Sequence, residues 1–168
     1  MSLALVSLGS NLGDRKEKLH DALERIAAGN QIRTISDIYE TYIPNRTKQD
    51  PYLNCCIEVE TDMSSGQFMQ FLIEIQRQLA EPSSQEHVHH QAIDIDLVGF
   101  DDEVLRTPQL TLPHPDAYRR AFVMVPLAQM KPDWVHPILN RRAVDLAKEA
   151  YWDGWGTFFM HGKSLLDF

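Results

Sequence analysis

The sequence predicts an α+β fold, a ferredoxin-like βαββαβ sandwich with an added hairpin and C-terminal helices. Three observations predict it. Apolar residues recur at helical spacing in two separate stretches, 19–27 and 68–79. Short β-branched or alternating stretches precede, separate and follow them. The resulting order, β-α-β-β-α-β, sends two helices across one face of a mainly antiparallel sheet.

Each element has its own signal. Residues 3–8 are an apolar run bounded by Gly9-Ser10-Asn11, the pattern of a buried strand entering a turn. Asp14 is placed to cap a helix carrying Leu19, Ala22, Leu23, Ile26 and Ala27, which Gly29-Asn30 stops. Residues 32–43, rich in Ile, Thr and Tyr, read as one strand, and 44–51 as a polar loop. Residues 52–61 alternate. Cys55, Ile57 and Val59 share one side and Cys56, Glu58 and Glu60 the other, as in a half-buried strand. Ser64 or Ser65 can cap a helix with Phe68, Phe71, Leu72, Ile75 and Leu79 on one face, ended by Pro82-Ser83-Ser84. A His-rich loop then runs to Gln91, and residues 92–100 form a strand. Asp101-Asp102 reads as a hairpin turn into Glu103-Val104-Leu105. Residues 121–130 form an apolar helix stopped by Lys131-Pro132, and 143–150 a last helix. The organisation expected is one domain over residues 1–150 and an aromatic, unpatterned tail over 151–168.

Composition narrows the function. The chain has 168 residues, 43% hydrophobic and 24% charged, ordinary for a globular domain. Its net charge of −8 argues against general nucleic-acid binding, which depends on neutralising phosphates. No apolar run approaches the roughly 18–20 residues that span a bilayer, so no membrane is expected. The N-terminus has neither a basic n-region nor a cleavage-site pattern. The two cysteines, Cys55 and Cys56, are adjacent, so on a strand they point apart and do not pair. A reducing cytoplasm is the expected compartment.

Asp94-Ile95-Asp96 is the sharpest chemical signal. Residues two apart on a strand share a face, so Ile95 points inward and both carboxylates point together to the other side. Two such acids repel unless a cation sits between them, and Mg²⁺, which takes one or two carboxylates together with substrate phosphates, suits the pair. The alternative is a solvated outer face. Pro113-His114-Pro115-Asp116, followed by Arg119 and Arg120, is a stiff loop whose arginines could hold a polyphosphate, or an ordinary surface turn. Tyr52 and Asn54 share one face. An aromatic with an amide two residues on suits a flat heterocycle, or is a core Tyr beside a loop-end Asn. Gly9-Ser10-Asn11-Leu12-Gly13 lacks the Lys-Ser/Thr of a Walker loop and reads as a turn. His87, His89 and His90 could bind Zn²⁺, but no second ligand group has matching spacing.

Taken in order, Ser7-Leu8-Gly9-Ser10-Asn11-Leu12-Gly13, Tyr52-Leu53-Asn54, Ile93-Asp94-Ile95-Asp96-Leu97, Leu110-Thr111-Leu112-Pro113-His114, Arg120-Ala121-Phe122-Val123-Met124-Val125-Pro126-Leu127 and His136-Pro137 resemble the 6-hydroxymethyl-7,8-dihydropterin pyrophosphokinase family of folate synthesis. The resemblance covers roughly residues 3–139. It implies transfer of diphosphate from ATP to the pterin hydroxymethyl oxygen, with AMP released. It implies Asp94 and Asp96 on two Mg²⁺ ions, Tyr52 and Phe122 sandwiching the pterin, Asn54 reading its edge and Thr41 beside it through its backbone. Thr111, His114 and Arg120 would face ATP, and the partners would be ATP and the pterin, with a monomer favoured.

The sequence also departs from the family pattern. Where the family usually reads Leu-Gly-Arg-x-Arg and then Trp-Gly-Pro-Arg, this chain has Leu79-Ala80-Glu81-Pro82-Ser83 and Val88-His89-His90-Gln91. The loop arginines are absent, Gln76 stands where a Glu is usual, and Thr41-Tyr42-Ile43-Pro44 carries its proline one position late. Loss of a transition-state cation slows phosphoryl transfer. Protonated His87, His89 or His90 would substitute only as pH falls through about 6.5. Two other readings therefore stand beside the active enzyme: a non-catalytic pterin- or nucleotide-binding relative, and a kinase of the same fold acting on a different heterocyclic alcohol.

Overall fold

The computed structural model of the chain describes residues 1–42, 51–80, 93–151 and 155–166. β1 (Ser2–Ser10) is the N-terminal apolar run. The chain turns at Gly13, whose φ of +62° lies in the left-handed region glycine tolerates. Asp14 then caps α1 (Arg15–Ala27), its carboxylate accepting from the Glu17 amide at 3.0 Å. Leu19, Ala22, Leu23 and Ile26, spaced one helical face apart, are buried.

The stretch expected as one strand is two, β2 (Gln31–Ile35) and β3 (Ile38–Tyr42). The break falls at Ser36. Its amide donates to the Cys56 carbonyl and its Oγ accepts from the Cys56 amide, both at 2.9 Å, so a side chain replaces one rung of the ladder. Gly162 lies against this break, where a β-carbon would stand 1.9 Å from the Ser36 carbonyl oxygen. Only glycine allows the tail to pass that close.

β4 (Tyr52–Thr61) leads into α2 (Ser65–Gln78), which starts in a capping box formed by Ser64 and Gln67. β5 (Asp94–Phe100) follows. With a last strand, β8 (Trp155–Met160), the strands run β5-β1-β4-β3-β8, all neighbours antiparallel, with β2 also on β4. Here β8 comes from the tail that carried no recognised pattern. The sheet with α1 and α2 on one face is the predicted ferredoxin-like sandwich.

The added hairpin pairs differently from the expectation. Asp101 ends β5 by closing back on β1: its amide donates to the Leu3 carbonyl and its carboxylate accepts from the Leu3 amide, each at 2.8 Å. The strand after that turn, β6 (Leu105–Arg106), pairs forward with β7 (Thr111–Leu112) and not back with β5.

Two cores lie on opposite sides of the sheet. Leu8, Leu19, Leu23, Ile57, Phe68 and Leu72 belong to the larger, under α1 and α2. The smaller joins Leu5, Cys56 and Val98 to Val123, Met124, Leu127 and Leu146 of α3 (Ala121–Met130) and α4 (Ala143–Glu149). This second layer explains why β4 is buried on both faces, contrary to its half-buried reading: Cys56 is covered by α3. Val98 is the extra residue of a bulge, since Leu5 pairs with Gly99 and Val6 with Leu97. The bulge turns Phe100 into the larger core while Asp94 and Asp96 keep to the other face. Among the described residues no helix is long and apolar enough to cross a membrane.

Candidate active site

Beyond the N-terminal end of α3 the second face of the sheet turns polar. Alternation along β1, β4 and β5 puts Ser7, Gly9, Tyr52, Asn54, Asp94 and Asp96 on that face, opposite the inward Leu8, Leu53 and Ile95. Register ties them together. Gly9 pairs with Asn54 on one side and Asp94 on the other, and Ser7 pairs with Asp96.

Asp94 and Asp96 share one face of β5, as strand alternation requires, and both are half-buried. Burial pushes the Asp94 carboxyl above the ordinary carboxylate range, and the charge of Asp96 pushes it further. The Arg120 guanidinium pulls the other way, which puts Arg120 within electrostatic reach of Asp94. The donor set is all oxygen, partly desolvated and short of positive charge, and so fits a hard divalent cation.

Arg120 precedes α3 and is held there by backbone. Its carbonyl accepts from the Val123 and Met124 amides at 3.1 and 2.9 Å. The flanking Ala121 amide and Arg119 carbonyl bond to Tyr151 at 3.0 and 3.1 Å. Its guanidinium lies 4.0 Å from the Asp116 carboxylate and 5.8 Å from the centre of the Phe122 ring. Arg119 turns elsewhere, its Nε donating to the Tyr118 hydroxyl at 2.7 Å.

The heterocycle-type group assembles on the neighbouring strands. Asn54, only 4% exposed, donates from Nδ2 to Thr41 Oγ1 at 2.9 Å. Tyr52, half-buried, pairs across from Thr41. A β-carbon at Gly9 would stand 3.0 Å from Asn54 Oδ1 and 3.8 Å from Tyr52 Cδ1, so glycine makes room for the amide to lie against β1.

His114 is fixed beside β5 by its amide, which donates to the Val98 carbonyl at 2.9 Å. Its Nδ1 accepts from the Asp116 amide at 3.2 Å, which leaves Nε2 to carry the proton of the neutral ring. Thr111, on β7, pairs with Arg106 and stands on the hairpin beside β5. His87, His89, His90, Glu81 and Gln91 lie outside the described residues, as does Pro44.

Two residues that the sequence reading named without giving them a role support the site. Asp116 touches both His114 and Arg120, and its i, i+4 spacing from Arg120 was the available signal. Gln76 accepts the Ile95 amide at 2.8 Å, a contact across the sheet edge that no local pattern announces.

Residues 5–132 match the family model described as 7,8-dihydro-6-hydroxymethylpterin-pyrophosphokinase. The 2-amino-4-hydroxy-6-hydroxymethyldihydropteridine pyrophosphokinase of Porphyromonas gingivalis is 33% identical over 82% of this chain and 95% of its own length. The protein of the same name from Synechocystis is 30% identical over 87% and 75% respectively. The folic acid synthesis protein FOL1 of Dictyostelium discoideum is 27% identical over 83% of this chain, which spans 21% of that protein. The crystal structure of Plasmodium falciparum HPPK-DHPS superposes over 88% of this chain and 42% of its own, with a TM-score of 0.69 at 16% identity, a likeness of fold. The extent of the family match, with relatives at 30% identity or more along most of their length, makes this chain a member of the 7,8-dihydro-6-hydroxymethylpterin-pyrophosphokinase family.

Proposed function

We propose that the polar end of the sheet is where the protein carries out the reaction of its family. It transfers a diphosphoryl group from ATP to 6-hydroxymethyl-7,8-dihydropterin and releases AMP, in folate biosynthesis. The observation that carries the site assignment is the strand register that sets Asp94 and Asp96 beside the Asn54–Thr41 pair across Gly9, with Arg120 in electrostatic reach of Asp94.

Asp94 and Asp96 are the residues that would hold Mg²⁺, two ions when ATP is present. Bound there, the metal neutralises charge on the transferring group and favours ionisation of the attacking hydroxyl. The chain's own residues do the rest. Tyr52 and Phe122 cover the faces of the pterin, and Asn54 hydrogen-bonds its edge. Thr41 orients the Asn54 amide through the 2.9 Å bond and borders the pterin through its backbone. Arg120 places a permanent charge against the polyphosphate, and Asp116 keeps that guanidinium aimed while the site is empty of nucleotide. His114 donates from Nε2 to the nucleotide, and Thr111 borders it.

The hydroxymethyl oxygen bonds to the β-phosphorus in line with the bridging oxygen to the α-phosphorus. That bridging bond breaks, AMP leaves with its oxygen, and the hydroxyl proton passes to solvent. Such a transfer depends on placement and charge neutralisation more than on a general base. Placement alone can supply several kcal/mol, up to roughly 7–11.

The test is incubation of the protein with ATP, Mg²⁺ and the hydroxymethyl dihydropterin, with AMP and the pterin diphosphate resolved by chromatography. Both products in equal amounts are expected. Tight pterin binding without AMP overturns the transferase reading in favour of a binding protein. AMP formed with other alcohols but not with this pterin overturns the substrate.

A further inference from the structure

We propose that Gln76 is a positioning residue for the acid pair, and that it acts by holding the outer edge of β5. This inference rests on the site proposed above. β5 is the last strand of the sheet on its side among the described residues, with β1 as its strand neighbour. An edge strand leaves every second backbone amide without a ladder partner. In the Asp94-Ile95-Asp96 segment that amide belongs to Ile95, and the side chain of Gln76 takes it, Oε1 accepting at 2.8 Å.

The geometry follows from alternation. With the Ile95 amide turned outward, the backbones of Asp94 and Asp96 face β1, where they pair with Gly9 and Ser7. The segment is therefore gripped from both sides: by the β1 ladder at the two acids, and by Gln76 at the residue between them. Ile95 also sends its side chain into the core. Asp94 opens the strand, so the Gln76 contact lies one residue from its start, where a strand frays most easily.

Gln76 itself is well anchored. Its neighbours Ile75 and Leu79 are buried under the sheet, which fixes the last turns of α2. Half-buried Gln76 stands on the flank of that apolar stripe and reaches past it to the edge strand. As a neutral amide it accepts the bond without adding a third negative charge near two carboxylates that already repel each other. Glutamate would also accept, whereas methionine has similar length and no strong acceptor.

The experiment compares the parent with Gln76→Met and Gln76→Glu. The first readout is hydrogen exchange at the Ile95 amide, followed by NMR on labelled protein without metal. The second is Mn²⁺ uptake in the presence of an unreactive ATP analogue, followed by electron paramagnetic resonance. In Gln76→Met the Ile95 amide should exchange about tenfold faster, the scale of one net hydrogen bond. Mn²⁺ affinity should fall about tenfold, as when an outer partner of a metal ligand is removed. The rate kcat should fall while KM for the pterin stays within about twofold, since the strands that carry Tyr52 and Asn54 are untouched. Gln76→Glu should restore the Ile95 protection.

Parent-like exchange and parent-like Mn²⁺ affinity in Gln76→Met overturn the positioning role and leave the site assignment standing. A parent protein that takes up no Mn²⁺ with the nucleotide analogue overturns the site assignment and this inference together.

Discussion

Asn54 and Gly9 face each other across β4 and β1, and the space between them is set by the missing side chain of Gly9. A methyl group there would meet Asn54 Oδ1 at 3.0 Å, tighter than ordinary packing allows. The amide would have to tilt, and its 2.9 Å bond to Thr41 would lengthen. Gly9→Ala is therefore expected to fold and to lose pterin recognition. KM for the pterin should rise about tenfold, the scale of one misdirected hydrogen bond, with KM for ATP little changed. Steady-state kinetics with each substrate varied separately checks this. Equal loss for both substrates would mean that Gly9 serves the sheet as a whole.

The acid pair is kept at a cost to the apo-protein. Burial and Asp96 hold the Asp94 carboxyl above its ordinary range. A carboxyl whose folded pKa lies above its unfolded one binds more protons when folded, so this group's contribution to stability falls as pH rises between the two values. At neutral pH the full penalty is present, reduced by Arg120 and by solvent at a half-exposed site. Asp94→Asn removes the charge and nearly keeps the shape. It should raise the thermal midpoint of the apo-protein by roughly 1–3 °C while abolishing AMP formation. Calorimetry without metal, paired with the AMP assay, reads both effects. A lower midpoint would show that the Asp94 charge is compensated in the apo-protein.

Much of this arrangement was legible in the residues because it depends on local periodicity. Asp94 and Asp96 share a face because strands alternate, and Ile95 between them reads as core for the same reason. Asp14, and Ser64 or Ser65, read as caps because a capping side chain acts within three residues of itself, and Asp14 and Ser64 are the caps observed. What escaped depends on contacts distant in sequence. The break at Ser36 answers to Cys56 and to Gly162. The second face of β4 is buried only because α3 returns across it, so the alternation of Cys56 and Glu58 pointed to solvent when the fold supplies a helix and the Lys131 ammonium. β8 is mostly exposed, so the alternating burial that marks a half-buried strand is missing, and its partner β3 lies more than a hundred residues away.

The cysteines make a sharp prediction about reactivity. Cys55 points into the core under α1 and α2, and Cys56 into the core under α3. Burial pushes the Cys55 thiol up to about 12 and raises that of Cys56 as well, where the charge of Cys55 adds to it. Thiolate is the reactive form, so at pH 8 neither should react with a thiol reagent in the folded protein. Titration should find no reactive thiol per native chain and both in urea. A native chain that reacts rapidly at Cys56 would show that α3 lifts from the sheet on that timescale.

His136 gives the fold a dependence on pH of its own. The ring is 5% exposed, and its edges meet Tyr118 and Trp134 with ring centres 5.8 and 5.7 Å apart. Nδ1 accepts from the Ile138 and Leu139 amides, both at 3.2 Å, so the ring is neutral and its proton sits on Nε2. Protonating Nδ1 would break both bonds, and burial already lowers the pKa of this group from its usual value. In the unfolded chain it titrates near 6.5. Below that pH the unfolded state binds a proton that the folded state refuses, so stability falls as pH drops from about 6.5 toward the folded pKa and is flat above it. One such group changes stability by at most about 1.4 kcal/mol per pH unit. His136→Asn retains an acceptor near Nδ1 and does not titrate. It should lower the urea midpoint at every pH, because the ring packing against Tyr118 and Trp134 is lost. It should also flatten the slope between pH 5.5 and 6.5. A variant whose slope equals the parent's would assign the acid sensitivity to other groups and leave His136 as packing alone.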